Sequence, residues 1–120
     1  MLSMTSFEFG DIILVPFPFT DQSQTKKRPA VVISSQAYNT ERPDLIIMAV
    51  TSKLKPTGTI GELIVKDWQT AGLLKPSAIK PIITTIEKGL VIKRLGRLEQ
   101  EDRDALQEGL KSILGFMYRG

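Results

Sequence analysis

The sequence predicts a mainly β protein with one C-terminal α-helix, built as a small, strongly bent antiparallel sheet or barrel. Three observations carry that prediction. Short β-branched and aliphatic runs recur along most of the chain, at 11–16, 30–33 and 45–52, separated by frequent turn residues. Only near the end does the apolar period lengthen, with Leu106, Leu110, Ile113, Leu114 and Met117 at three- and four-residue steps. The 120 residues contain no internal repeat, low-complexity tract or linker, so they form one domain, a barrel over about 8–98 and a helix over about 100–117.

Each element follows from local chemistry. Residues 11–16 are a strand, and Pro16 and Pro18 end it because neither has a backbone N–H to give a ladder. Residues 17–27, rich in Thr, Gln and Ser, read as a loop. A second strand covers 28–34, with Pro29 tolerated near its start or on an edge. Residues 35–44, containing Asn39 and Pro43, read as a connection, and 45–52 as a third strand apolar enough to be central. A second loop spans 53–61. After it come a short strand at 62–65, a single helical turn at 66–71 stopped by Gly72, and short strands at 77–79 and 82–87 broken around Pro81. A further strand or turn covers 90–95. Glu99, Glu101, Asp102 and Asp104 crowd the first turns of the terminal helix, where its dipole favours negative charge.

Composition narrows the chemistry. There is no Cys, which removes disulfides and thiolate metal sites, and no His, which removes the commonest metal ligand and general base. Catalysis would have to use Arg, Lys, Asp, Glu, Ser, Thr or Tyr. No apolar run approaches a membrane span, and the first residues have neither a basic nor an apolar leader, so a cytoplasmic protein without membrane contact is expected. The net charge of +3 is uneven: residues 1–98 carry 13 Lys/Arg against 8 Asp/Glu, and 99–120 carry 3 against 5. An anionic partner should therefore sit on the first part and avoid the last. The strand at 11–16, the polar loop and the run Lys26-Lys27-Arg28-Pro29 before the next strand form a strand-loop-strand that delivers clustered cations, a means of presenting charge to phosphate.

The order Gly10-Asp11-Ile12-Ile13-Leu14-Val15-Pro16-Phe17-Pro18-Phe19-Thr20, polar loop, Lys27-Arg28-Pro29-Ala30-Val31-Val32-Ile33-Ser34, then Ile47-Met48-Ala49-Val50-Thr51-Ser52, resembles the MazF/PemK family of toxin–antitoxin ribonucleases. The likeness continues through Leu74-Lys75-Pro76-Ser77, Thr84-Thr85-Ile86-Glu87 and Leu95-Gly96-Arg97-Leu98 into the terminal helix. It implies an SH3-like barrel assembled as a homodimer that cuts single-stranded RNA without metal or other cofactor. The 2′-hydroxyl attacks the adjacent phosphate, leaving a 2′,3′-cyclic phosphate and a 5′-hydroxyl. It also implies a cognate antitoxin that wraps the dimer and covers the RNA groove.

The resemblance assigns roles residue by residue. Arg28 matches the family Arg before Pro that is essential for cleavage, and a guanidinium can hold two phosphate oxygens as charge develops. Thr51 matches the Thr closing the third strand, whose hydroxyl can donate to a phosphoryl oxygen. Without the resemblance, Arg28 reads as a surface charge at a strand start and Thr51 as an ordinary β-branched strand residue. Lys26 and Lys27 would add attraction to phosphate, with Ser52 and Lys53 beside Thr51 as backbone contacts. The family's Arg-x-Asp pair falls on Ile79 and Pro81, and its loop acid five positions before the Arg falls on Ser23. None of these can act as a base. Asp21 and Lys80 are the nearest substitutes for the general base; the plain readings are a turn cap for Asp21 and a phosphate contact for Lys80. Trp68 reads as a core or interface residue before a stacking platform, Phe17 and Phe19 as packing residues before an apolar lip for the antitoxin, and Asp11 as a turn-holding carboxylate. A second functional class fits the same residues: a non-catalytic module of this fold, either an antitoxin-binding remnant or a CcdB-like topoisomerase inhibitor.

Overall fold

The computed structural model describes residues 6–17, 26–54 and 60–116. Their elements run β1 (Asp11–Phe17), β2 (Lys26–Val32), α1 (Gln36–Glu41), β3 (Asp44–Thr51), β4 (Leu63–Ile64), β5 (Ala78–Glu87), a 3-10 turn at Lys88–Leu90, β6 (Lys93–Arg97) and α2 (Gln100–Ile113). The strands form one sheet in the order β4-β5-β3-β2-β1-β6, and every pairing is antiparallel. The mainly β architecture with its C-terminal helix is as the sequence predicts.

Strand alternation explains why the three central runs are apolar throughout. Side chains on a strand point alternately to opposite faces, so a strand covered on both faces needs apolar residues at every step. Ile12, Val31, Met48 and Val50 enter one buried cluster with Val65, Ala71, Leu73, Ile79, Leu98 and Leu106. Their neighbours Ile13, Val15, Ala30, Val32, Leu45, Ile47 and Ala49 enter a second cluster with Phe7 and Phe17. α2 closes the first cluster: Leu106 is buried there, and Leu110 and Ile113 pack against it. The helix ends earlier than its apolar period suggests, with Leu114 as its extended C-cap. Met117 lies outside the described residues.

Four segments differ from the sequence-based expectation. Pro16 does not end β1, because the β6 ladder stops at Leu14–Lys93 and β1 beyond it pairs only with β2. Pro29 is likewise accommodated because the β2–β3 ladder starts one residue later, at Ala30–Ala49. The expected connection at 35–44 contains helix α1: the Ser35 side chain accepts the Tyr38 N–H at 3.1 Å as N-cap, and the extended Arg42 that must precede Pro43 ends it. The two short strands expected around Pro81 are one strand. Its register jumps from Met48–Ile83 to Val50–Ile79, leaving residues 80–82 opposite Ala49 as a bulge that needs no donor from Pro81.

Residues 66–72 form turns that leave β4 and reach the far edge of the sheet. Two devices hold them. Buried Asp102 of α2 accepts the N–H groups of Lys66 at 3.1 Å and Asp67 at 2.9 Å. Gly72, in the left-handed region at φ +91°, and Gly96 let the two backbones meet: a Cβ at Gly72 would lie 2.1 Å from the Leu95 carbonyl oxygen, and one at Gly96 2.3 Å from that of Ala71. The sheet thereby curls until β6 touches the turn.

Candidate nucleic-acid interface

The curl leaves a groove of about 780 Å³ at the mouth of the first core cluster. Its floor is apolar: Leu14, Pro29, and the core members Val50 and Leu73. One wall is the start of β2, with Lys26, Lys27 and Arg28, and the end of β3, with Thr51, Ser52 and Lys53. The other wall is Lys93, Arg94 and Leu95 of β6 together with residues 72–75 and Ser77. Among the described residues this lining holds seven cations and no carboxylate, and none of it comes from the acidic helix α2.

Antiparallel pairing brings the two principal candidates together. The β2–β3 ladder pairs Ala30 with Ala49, Val31 with Met48 and Val32 with Ile47. Extended by two residues, the same register sets Arg28 opposite Thr51, although 22 residues separate them in sequence. Arg28 is half-buried, flanked by exposed Lys26 and Lys27. The Thr51 hydroxyl oxygen accepts the Lys53 N–H at 3.1 Å. That bond fixes the oxygen and leaves the hydroxyl proton available to donate into the groove. The expected cluster of Lys26, Lys27, Arg28, Thr51, Ser52 and Lys53 is therefore assembled along one wall.

Lys80 is not brought to it. Its Nζ lies 2.7 Å from Glu62 Oε2, both side chains being partly buried, on the bulge of β5 away from the groove lining. A phosphate contact or substitute base was expected there; the carboxylate of Glu62 engages that ammonium instead. Asp21, Ser23 and Phe19 lie outside the described residues. Trp68 packs against the first core cluster and Phe17 is buried in the second, in line with their packing readings.

The second wall contains residues that composition and spacing did not single out. Arg94 is anchored: its Nη2 lies 3.0 Å from Asp11 Oδ2, it donates to the Ser6 carbonyl, and its guanidinium sits 5.4 Å from the Phe7 ring centroid. Asp11 is buried and accepts the Glu8 N–H at 2.9 Å. Burial pushes the Asp11 carboxyl above its ordinary range, opposed by the Glu8 N–H and by Arg94 and Arg97. Asp11 thus holds the entering turn and one groove cation together. Lys75 and Lys93, both exposed, complete this wall. Their signal in the sequence was only their position beside Gly72 and Gly96, which becomes legible once the two glycines are seen in contact.

Among the described residues, no group of three or more His, Cys, Asp or Glu side chains could hold a metal ion, and no helix is long and apolar enough to cross a membrane.

Comparison with known proteins agrees with the geometry. No curated protein matches the sequence. Solved structures resemble the fold closely at low identity. An endoribonuclease in complex with its cognate antitoxin, from a mycobacterial species, superposes with a TM-score of 0.73 at 15% identity, covering 97% of this chain and 100% of that one. MazE-MazF from Deinococcus radiodurans gives 0.73 at 19%, covering 94% and 100%. The Mycobacterium tuberculosis toxin MazF-mt6 gives 0.73 at 17%, covering 90% and 99%. The family model of the PemK-like, MazF-like toxins matches residues 8–114. With nearly all its length matched and the fold shared, the chain belongs to the PemK-like, MazF-like toxin family of type II toxin–antitoxin systems.

Proposed function

We propose that this protein is a metal-independent endoribonuclease toxin that cleaves single-stranded RNA in the groove between Arg28 and the β6 wall. The observation that carries the reading is the β2–β3 register, which, extended, sets a guanidinium opposite an oriented hydroxyl in a groove whose described charged residues are all cations. A phosphodiester entering it meets donors that match the charge gained on going to pentacoordinate phosphorus. Arg28 holds non-bridging oxygens, Thr51 donates a further hydrogen bond, and Lys26, Lys27 and Lys53 neutralise flanking charge. The 2′-hydroxyl attacks phosphorus, its proton passing to a base, and the P–O5′ bond breaks. The products are a 2′,3′-cyclic phosphate and a 5′-hydroxyl whose oxygen has taken up a proton. Asp21, in the segment joining β1 to β2, is the proposed base. Positioning and charge stabilisation supply most of the remaining acceleration.

The active unit is proposed to be a homodimer. Ile82 and Ile83 of β5 are exposed, and among the described residues no strand pairs with the outer edge of β5 beyond Ile79. Such an edge invites pairing. A cognate antitoxin is the proposed protein partner, as a similar endoribonuclease was solved in complex with one, and acidic groups on it would complement the groove cations.

The test is incubation of the purified protein with a long single-stranded RNA in EDTA, followed by chemical identification of the new ends. Cyclic phosphate and 5′-hydroxyl ends support the enzyme. A second reading, a non-catalytic binding module, is favoured by one observation, that no carboxylate belongs to the described groove lining. RNA bound without product would establish that reading.

A further inference from the structure

We infer that Lys75 and Lys93 form a second phosphate subsite, so that a bound RNA strand crosses the groove from the Arg28 wall to the β6 wall. This rests on the reading of the groove as an RNA site and adds to it a substrate path.

The two lysines reach the same wall from unrelated parts of the chain. Lys75 follows the 66–72 turn, and Lys93 opens β6. What joins them is the backbone contact of Gly72 with Leu95 and of Gly96 with Ala71, an approach that no larger residue allows. Across the sheet, Lys93 and Pro29 both pair with Leu14, on either side of β1. Two strand spacings of about 4.8 Å put Lys93 roughly 10 Å in backbone distance from the strand that carries Arg28. Lys93 thus stands across the groove from Arg28, and a strand that leaves the phosphate held at Arg28 passes its ammonium.

Of the three cations on this wall, only two are available to a ligand. Arg94 is spent on Asp11 and the Ser6 carbonyl. Lys75 and Lys93 are exposed and have no ion pair among the described residues. Leu74, 92% exposed beside Lys75, gives the rim an apolar surface against which a base could rest. Flexible ammonium groups act as point charges without base preference, so the subsite should contribute affinity and strand path but not sequence choice.

The experiment measures binding of a fully 2′-O-methylated ten-nucleotide RNA, which cannot be cut, by fluorescence anisotropy across a salt series. The Lys75→Gln/Lys93→Gln double variant should reduce the slope of log affinity against log salt by about 1.4, since each single-strand phosphate contact contributes about 0.7. Between 50 and 200 mM salt the variant would then lose about sevenfold less affinity than the parent. A dinucleotide should give the same slope with the double variant as with the parent. An unaltered slope for the double variant, or an equal loss with the dinucleotide, would overturn the subsite. If the parent cuts RNA but the slope is unaltered, only this inference fails. If it binds with the predicted change in slope but does not cut, only the nuclease reading fails.

Discussion

Replacing Asp102 tests how the second groove wall is held. Its carboxylate is 1% exposed and receives two backbone N–H groups, from Lys66 and Asp67, at 3.1 and 2.9 Å. Asp102→Ala removes both bonds and leaves two donors facing an apolar methyl. Hydrogen bonds to a charged group contribute about 1.5–3 kcal/mol each, and relief from burying the carboxylate returns part of that, so a net loss of about 2–4 kcal/mol is expected. The negative charge in the first turn of α2 adds a smaller favourable dipole interaction that is also lost. Asp102→Asn keeps one acceptor oxygen but turns an amide donor toward the other N–H, and should lose about half as much. Equilibrium urea unfolding of the parent and both variants reads the difference directly. A loss below about 1 kcal/mol for Asp102→Ala would refute the view that this carboxylate clamps the turn.

Further outcomes follow from other contacts. Gly96→Ala places a Cβ 2.3 Å from a backbone oxygen, which cannot swing aside; unfolding should show a loss of about 1–3 kcal/mol, and RNA affinity should fall as the walls part. The Tyr38 hydroxyl, 2.8 Å from Asp44, and then Arg42 hold the Asp44 carboxyl below its ordinary range. Their stabilisation is complete above about pH 4, where the unfolded chain is also ionised, and is lost as pH falls through the depressed folded value. The stability gap between the parent and Asp44→Asn should thus be constant from pH 7 to 5 and shrink as pH falls below about 4 in urea titrations. Lys80→Met should leave RNA affinity within about twofold in anisotropy assays, because its ammonium is engaged by Glu62 and lies outside the groove.

The sequence carried the central strands and the terminal helix because their signals are local. Ile12, Ile13, Val31, Val32, Ile47 and Val50 are β-branched and apolar at consecutive steps, and the three- and four-residue spacing of Leu106, Leu110 and Ile113 is helical on its face. Features that depend on partners across space were hidden. Pro81 reads as a break until the bulge opposite Ala49 shows that its missing N–H costs no ladder bond. α1 is short and contains Asn39, whose side chain bonds the Phe7 and Ser34 carbonyls, a use no propensity reveals. The resemblance named Arg28 and Thr51 separately, but their opposition needs the register of β2 on β3. Lys80 was misplaced because Glu62, 18 residues away, claims it. That β6 forms a groove wall with residues 72–75 could not be read, since it depends on two glycines meeting.

The central claim is that the wall formed by Arg28 and Thr51 performs RNA cleavage. Single-turnover cleavage of a mapped single-stranded RNA in EDTA, with binding of its uncleavable analogue measured in parallel, tests it most directly for the parent, Arg28→Ala and Thr51→Ala. Arg28→Ala should slow cleavage by about 10²–10³-fold, as loss of a transition-state donor does, with a much smaller loss of binding. Arg28→Ala cutting the same RNA at the parental rate would contradict it.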